Sequence, residues 1–236
     1  MLGATQTADD ASMTETFTNA ARVHTALTAA YEKRLLLRLA RHTPAHISSD
    51  HLTALALVAQ LAAGAAYAMA SHDPRALWLV NLLIALNWLG DSLDGTLARV
   101  RNQQRPRYGF YVDHVVDILG ALALIAGLGL SGFVHWSIAI AMLLCFYILS
   151  IESFLATYTL GQFHISHGLF GPTEIRILLI VGNIALATQH KYVEIAGGHF
   201  LLFDFGGAIA IFGMAIMTFV TVTRHTVTLY RAEPLT

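Results

Sequence analysis

The sequence predicts an all-α integral membrane protein with six transmembrane helices preceded by a cytoplasmic amphipathic interfacial helix. Hydrophobic residues make up 56% of the 236 residues and charged residues only 12%, whereas soluble domains carry about 25% charged residues. The apolar runs are continuous and separated by short gaps, which favours membrane helices over the alternating strands of a barrel. No strand is therefore expected, and the single Cys145 excludes a disulfide framework.

The N-terminal extension divides into two parts. Residues 1–16 are polar and acidic, predict a flexible segment, and lack the basic start and apolar core of a signal peptide. Residues 17–46 predict an amphipathic juxtamembrane helix with a basic face and leucines that dip into the cytoplasmic leaflet. The alternative is a solvated helix without membrane contact. A six-helix membrane domain over 47–226 and a cytoplasmic tail over 227–236 follow.

Six segments are apolar enough to cross a bilayer, which takes roughly 20 helical residues. The fifth is the shortest and contains Asn183, so its assignment rests on the least evidence. The predicted spans are 51–70, 76–98, 112–131, 134–160, 173–189 and 201–224.

The distribution of Lys and Arg supports both the count of six and the orientation. With six crossings, only Arg75 and Lys191 fall on one side. The other side then carries Arg22, Lys33, Arg34, Arg38, Arg41, Arg99, Arg101, Arg105, Arg107, Arg176, Arg224 and Arg231. Because basic residues concentrate on the cytoplasmic side, both termini are predicted to be cytoplasmic.

Four aspartates around the second and third spans form the most informative pattern. Asp91 and Asp94 are three residues apart and Asp113 and Asp117 four apart, so each pair shares one helix face. The basic loop between them predicts adjacent, antiparallel helices whose carboxylates converge at the cytoplasmic edge. Charges in a span are costly, and oxygen ligands without His or Cys suit hard cations such as Mg²⁺, Mn²⁺ or Ca²⁺. A site for two such ions is the resulting hypothesis.

The motif in this stretch resembles the signature of the CDP-alcohol phosphotransferases. It reads Asp91-x-x-Asp94-Gly95-x-x-Ala98-Arg99, nine residues, then Gly109-x-x-x-Asp113-x-x-x-Asp117. The family also has six transmembrane helices, cytoplasmic termini and a preceding amphipathic helix. The resemblance implies a phospholipid-synthesis transferase that moves a phosphatidyl or phosphoalcohol group from a CDP-linked donor to an alcohol and releases CMP.

The resemblance also implies roles for individual residues. Asp91, Asp94 and Asp113 would bind two Mg²⁺ or Mn²⁺ ions, and Asp117 would contribute and act as the general base. Space for the cytidine nucleotide would come from three small residues, Gly95, Ala98 and Gly109. Arg99 would stabilise the position or the phosphate charge of that nucleotide. For both glycines, close helix packing is the competing explanation.

Further candidates lie near the motif or inside other spans. His114 adjoins Asp113, as in choline and ethanolamine phosphotransferases, but its side chain could point about 100° away from the site. Glu152, deep in the fourth span, is a candidate for the acceptor cavity. Glu174 and Arg176 at the start of the fifth span, and Arg105 beside the site, are candidates for acceptor or phosphate binding. A zinc site at His164 and His167 is not expected, because no further ligands lie nearby.

Two other functions and two substrate assignments stay open. The first alternative is a small cation transporter whose acidic intramembrane site is formed by Asp91, Asp94, Asp113, Asp117 and Glu152. The second is a homologue that keeps the fold as a scaffold without activity. The donor is either CDP-diacylglycerol with a small polar alcohol as acceptor, or a CDP-amino alcohol with diacylglycerol. The resemblance implies a homodimer, which the small residues of span three would support. The expected partners are these substrates and membrane lipids, and no nucleic acid is expected.

Overall fold

The computed structural model of the chain describes residues 29–160, 172–195 and 197–234. The predicted N-terminus 1–16, the first part of the predicted amphipathic helix (17–28) and the histidines at 164 and 167 lie outside these ranges. The first described helix, α1, covers Ala29–His42. Its buried residues Leu36 and Ala40 pack with Leu93 and Leu97 of a later helix. An interfacial position of α1 in the membrane stays a prediction.

Among the described residues, five helices are long and apolar enough to cross a membrane, which confirms a helical, multi-pass membrane protein. These helices are α2 (Ser49–Met69), α3 (Ala76–Val100), α4 (Pro106–Leu130), α5 (Trp136–Leu160) and α7 (Leu202–Ala232). The side chain of Ser48 caps the start of α2 by accepting a hydrogen bond from the backbone N–H of His51. Pro106 opens α4 at the first helical position, where its missing N–H costs nothing.

The predicted fifth span corresponds to α6, Pro172–Ala187, which has 16 residues. At 1.5 Å per residue it is about 24 Å long, shorter than the roughly 30 Å of the bilayer core. The count of six spans therefore stays a prediction. Asn183 is fully buried in α6: it accepts a hydrogen bond from Tyr67 Oη (2.9 Å) and donates one to Asn81 Oδ1 (2.8 Å). These partners explain how the helix accommodates a polar residue.

The expectation of no strands is wrong at one place. A short antiparallel hairpin, β1 (Tyr192–Ile195) and β2 (Gly198–Leu201), connects α6 to α7. Gly197, at the turn, has φ +81°, a conformation that glycine adopts without steric cost. Each strand has only four residues, which is too short to show an alternating pattern beside the long apolar runs, so the sequence did not predict this hairpin.

Helix α2 packs against both α3 and α4. At the crossing of α2 and α4, a Cβ on Gly127 would lie 1.9 Å from the carbonyl oxygen of Gly64, so only glycine permits this approach. Gly120 likewise lies against the side chain of Gln60. Gly120 and Gly127 of the third predicted span therefore pack against α2, and the homodimer stays a prediction.

Helices α5 and α7 form a second, largely separate pair. Gly207 of α7 lies against Ile138 and Met142 of α5, and Asp204 accepts a hydrogen bond from the backbone N–H of His135 (2.7 Å). Because these contacts join the beginnings of both helices, α5 and α7 run parallel. The intervening α6 must then return the chain from one end of the bundle to the other.

Candidate active site

The two carboxylates of α3 have different partners. Arg176, from the first turns of α6, donates a hydrogen bond from Nη2 to Asp91 Oδ2 (2.7 Å) and one from Nε to Asn87 Oδ1 (3.0 Å). The Arg176 and Asp91 side chains are only 15% and 25% exposed. Since Asn87 is one helical turn before Asp91, both face the same guanidinium. Arg176 thereby fixes α6 to the acidic end of α3.

The carboxylate of Asp94 is held by the beginning of α2. Thr53 Oγ1 donates to Asp94 Oδ2 (2.6 Å), and the backbone N–H of Gly95 contacts Asp94 Oδ1. Ser49 Oγ donates to the main-chain carbonyl of Asp94. The signature aspartate is therefore oriented by hydroxyl groups from a helix outside the motif.

The aspartates of α4 complete the acidic cluster. The Asp117 carboxylate is half-buried and lies within electrostatic reach of the carboxylates of Asp91, Asp94 and Asp113 and of the Arg176 guanidinium. The sequence predicted this convergence, but it also predicted that α3 and α4 pack side by side. Instead, both helices pack mainly on α2, and the carboxylates approach one another across the intervening space.

The donor set of this cluster fits a hard divalent cation. The carboxylates of Asp91, Asp94 and Asp113 all act electrostatically on that of Asp117, and oxygen ligands are those that Mg²⁺ and Mn²⁺ prefer. Within the described ranges, no three His, Cys, Asp or Glu side chains stand in a ligating arrangement. Two of the predicted ligands are turned toward protein donors, Asp91 toward Arg176 and Asp94 toward Thr53.

A cavity of about 360 Å³ opens one helical turn beyond Asp94. Its lining residues are Ser48, Ser49, Asp50, Leu97, Ala98, Gln103, Gln104 and Arg105. Arg105 forms an ion pair with Asp50 and lies 4.1 Å from the ring centre of Tyr108. The hydrogen bond to the Asp50 carboxylate raises the pKa of Arg105 further above its ordinary value, so Arg105 stays protonated and paired with Asp50 at the rim of the cavity.

The small residues of the motif leave space around the cluster. A Cβ on Gly95 would meet only Nη1 of Arg99, at 3.5 Å, and a Cβ on Gly109 would meet nothing within 4 Å. Neither glycine is therefore explained by helix packing among the described residues. Ala98 lines the cavity directly, and Arg99 Nη2 donates to Thr96 Oγ1 (3.0 Å) on its own helix.

Comparison with known protein families assigns the chain to one of them. The family model described as CDP-alcohol phosphatidyltransferase matches residues 46–220, which include the whole acidic cluster and the cavity. The chain belongs to the CDP-alcohol phosphatidyltransferase family. A search of curated proteins gives no significant match.

Family membership supports a coarse biochemical description. It indicates a membrane transferase that acts on a CDP-alcohol, and the family generally depends on divalent metal. It confirms the resemblance that the motif of residues 91–117 carries. Neither the donor nor the acceptor follows from it.

The other histidine and glutamate candidates lie around this cluster. His114 Nδ1 donates to the carbonyl of Phe110 (2.6 Å), and its ring lies 4.1 Å from the Phe110 ring and 4.8 Å from that of Phe154. Its ring is thus packed between α4 and α5, and a catalytic part stays a prediction. Glu174 is buried in the first turn of α6, beside Arg176.

Glu152 contacts a residue that the sequence did not pair with it. Its Oε1 lies 2.5 Å from Nδ1 of His225 on α7, and its side chain is 10% exposed. Among the described residues, no group donates to its second oxygen, Oε2. The contact with α7 places Glu152 in the α5–α7 pair, and a role in the acceptor cavity stays a prediction.

Three residues near the cluster were not found from the sequence. Asn87 could have been found, because it extends the polar face of Asp91 and Asp94 by one turn. Thr53 and Glu32 could not, since they reach the cluster from α2 and α1, and no spacing rule relates separate helices. Glu32 accepts hydrogen bonds from Ser92, in the motif itself, and from α6.

Proposed function

We propose that the chain transfers a phosphatidyl or phosphoalcohol group from a CDP-linked donor to an alcohol and releases CMP. The observation that carries this proposal is the convergence of Asp91, Asp94, Asp113 and Asp117 next to the cavity at Ala98. The sequence motif, the family assignment and this geometry concern the same residues.

Divalent metal is part of the proposal. Asp91, Asp94 and Asp113 would hold two Mg²⁺ or Mn²⁺ ions, with Asp117 contributing. Bound ions would neutralise the pyrophosphate of the donor and the charge that develops on the leaving CMP. The mutual electrostatic influence of these carboxylates and their oxygen-only donor set support this assignment.

The cavity is the proposed nucleotide site. Its side-chain amides, Gln103 and Gln104, present donors and acceptors of the kind that read the edge of a base. The methyl group of Ala98 and the absent side chain of Gly95 leave room between this cavity and the carboxylates. Arg105 at the rim, and Arg99 on the adjacent turn, supply positive charge for phosphate oxygens.

The transfer is a substitution at phosphorus. Asp117 accepts the proton of the acceptor hydroxyl, the hydroxyl oxygen forms a bond to the donor's phosphorus next to the alcohol, and the bond from that phosphorus to the oxygen of CMP breaks. Asp117 suits this role because it is half-buried on α4, opposite Asp91 and Asp94. Arg176 and Glu174 at the start of α6 are the proposed candidates for contact with the acceptor or its phosphate.

The site is proposed to face the cytoplasm, with both termini on that side. The asymmetry of Lys and Arg supports this orientation. Helix α6 supports the sixth crossing, because Arg176 contacts Asp91 in the second half of α3 while Asn183 contacts Asn81 near its beginning. The donor stays either CDP-diacylglycerol or a CDP-amino alcohol, and the homodimer stays a prediction.

The test is CMP release by purified protein in detergent. CDP-diacylglycerol and CDP-choline are each offered with a panel of alcohol acceptors, with Mg²⁺ or Mn²⁺ and with chelator. Asp117→Asn should abolish metal-dependent CMP release, while Asp73→Asn, in an exposed loop at the other end of the bundle, should keep it. Absence of CMP with every pair, together with cation flux into reconstituted vesicles, would establish the transporter alternative instead.

A further inference from the structure

The carboxylate of Glu32 on α1 connects three helices. Trp88 Nε1 and Ser92 Oγ of α3 each donate to Glu32 Oε1 at 3.1 Å. Thr173 Oγ1 of α6 lies 3.2 Å from Oε1 and 3.3 Å from Oε2. All three donors therefore converge on one oxygen of one side chain. The neighbouring Lys33, by contrast, is exposed.

Glu32 lies on the face of α1 that packs against the protein. Leu36 and Ala40 follow it at intervals of four residues, and both are buried against Leu93 and Leu97 of α3. The contact is thus continuous along three turns of α1. A solvated surface charge would not be placed on this face.

The donors to Glu32 are close in sequence to groups of the acidic cluster. Ser92 follows Asp91 directly, and Thr173 is three residues before Arg176 on the same face of α6. Arg176 in turn donates to Asp91. The contacts form a closed ring from Glu32 through α6 and Arg176 to Asp91, and back through Ser92.

We infer that Glu32 is a positioning residue: it holds α1 and the first turn of α6 to α3, and so sets the position of Arg176 in the active site. This inference rests on the proposed function. Without the Glu32 carboxylate, the first turn of α6 loses the hydrogen bond from Thr173 that connects it to α1 and, through Glu32, to α3. Misplacement of a substrate-contacting group by about 1 Å can reduce the rate by about a hundredfold.

The kinetic test compares three substitutions in the full-length protein. Glu32→Ala removes the acceptor and should lower kcat/KM by about ten- to a hundredfold. Glu32→Gln keeps an acceptor oxygen for the three donors and should recover most of the activity. Lys33→Ala, on the exposed face of the same helix, is the matched control and should behave as the unmodified protein.

A double substitution separates positioning from general loss of stability. If Glu32 acts through Arg176, Glu32→Ala should change KM and kcat in the same proportions as Arg176→Lys. It should also add less than about a twofold loss in the Arg176→Lys background. The inference would be overturned if the losses of kcat/KM from Glu32→Ala and Arg176→Lys multiplied in the double variant. It would also be overturned if Glu32→Ala changed only the thermal stability.

A second readout does not depend on activity. Spin labels at Arg38 on α1 and Ile177 on α6, both exposed, report the distance between the helices in a protein whose Cys145 is replaced. The distance distribution should broaden with Glu32→Ala and stay narrow with Glu32→Gln and Lys33→Ala. An unchanged distribution with Glu32→Ala overturns the inference. If the unmodified protein releases no CMP with any substrate pair, the proposed function fails, and the label distances alone decide whether Glu32 holds the helices.

Discussion

The ion pair between Arg176 and Asp91 makes the sharpest stability prediction. Arg176→Gln removes the charge and the 2.7 Å hydrogen bond to Asp91, together with the 3.0 Å bond to Asn87. With the two side chains 15% and 25% exposed, water replaces these contacts only in part. A hydrogen bond to a charged group contributes about 1.5–3 kcal/mol, and breaking a fully buried pair costs about 3–5 kcal/mol. We expect a destabilisation of about 2–4 kcal/mol.

A double-mutant cycle isolates the pairwise part of that energy. Arg176→Gln, Asp91→Asn and the double variant are unfolded in detergent with chelator present, and the free energies of unfolding are compared. Because Asp91→Asn removes the anion that accepts the Arg176 hydrogen bond, the double variant should be more stable than the sum of the single effects predicts, by about 1.5–3 kcal/mol. Single effects that add to within about 0.5 kcal/mol would refute a direct interaction and, with it, the position of α6.

Three further predictions concern packing, a buried hydrogen bond and the metal. Gly127→Ala should destabilise the protein by about 1–3 kcal/mol or more, because the added Cβ would lie 1.9 Å from the carbonyl oxygen of Gly64. Gly213→Ala is the control, since a Cβ there would meet nothing within 4 Å, and thermal unfolding is measured for both variants. Tyr67→Phe should lower the unfolding free energy by about 0.6–2 kcal/mol, since Asn183 loses a donor in a fully buried position, and an unchanged unfolding curve would contradict this bond. Removal of divalent cations with chelator should stop CMP release, and added Mg²⁺ or Mn²⁺ should restore it; activity that persists in chelator would contradict metal dependence.

The acidic motif shows how far local spacing can be interpreted. Asp91 and Asp94 share a face because α-helical geometry relates residues three apart, and the same rule applies to Asp113 and Asp117. Neither pairing depends on the rest of the fold, so the sequence predicted both. Asn87 obeys the same rule and was overlooked.

Contacts between helices distant in the sequence could not be predicted in this way. Helix α2 packs against both helices that carry the aspartate pairs, and Gly64 and Gly127 allow its close approach to α4. Thr53 on α2 and Arg176 on α6 reach Asp94 and Asp91 only after the bundle has assembled.

The sequence by itself determined the membrane environment, the long apolar helices and the family of this protein. Scarce charge and long apolar runs require a membrane environment, and the spacing of the signature residues indicates its chemistry, since both are properties of consecutive residues. Only the tertiary structure decided which protein groups orient the carboxylates and how α1 and α6 join them. The physical reason is that side-chain contacts between helices depend on crossing positions and rotations, which depend on packing over the whole bundle. Glu32 illustrates the difference: in the sequence it is one charge in an amphipathic helix, and in the structure it joins three helices at the active site.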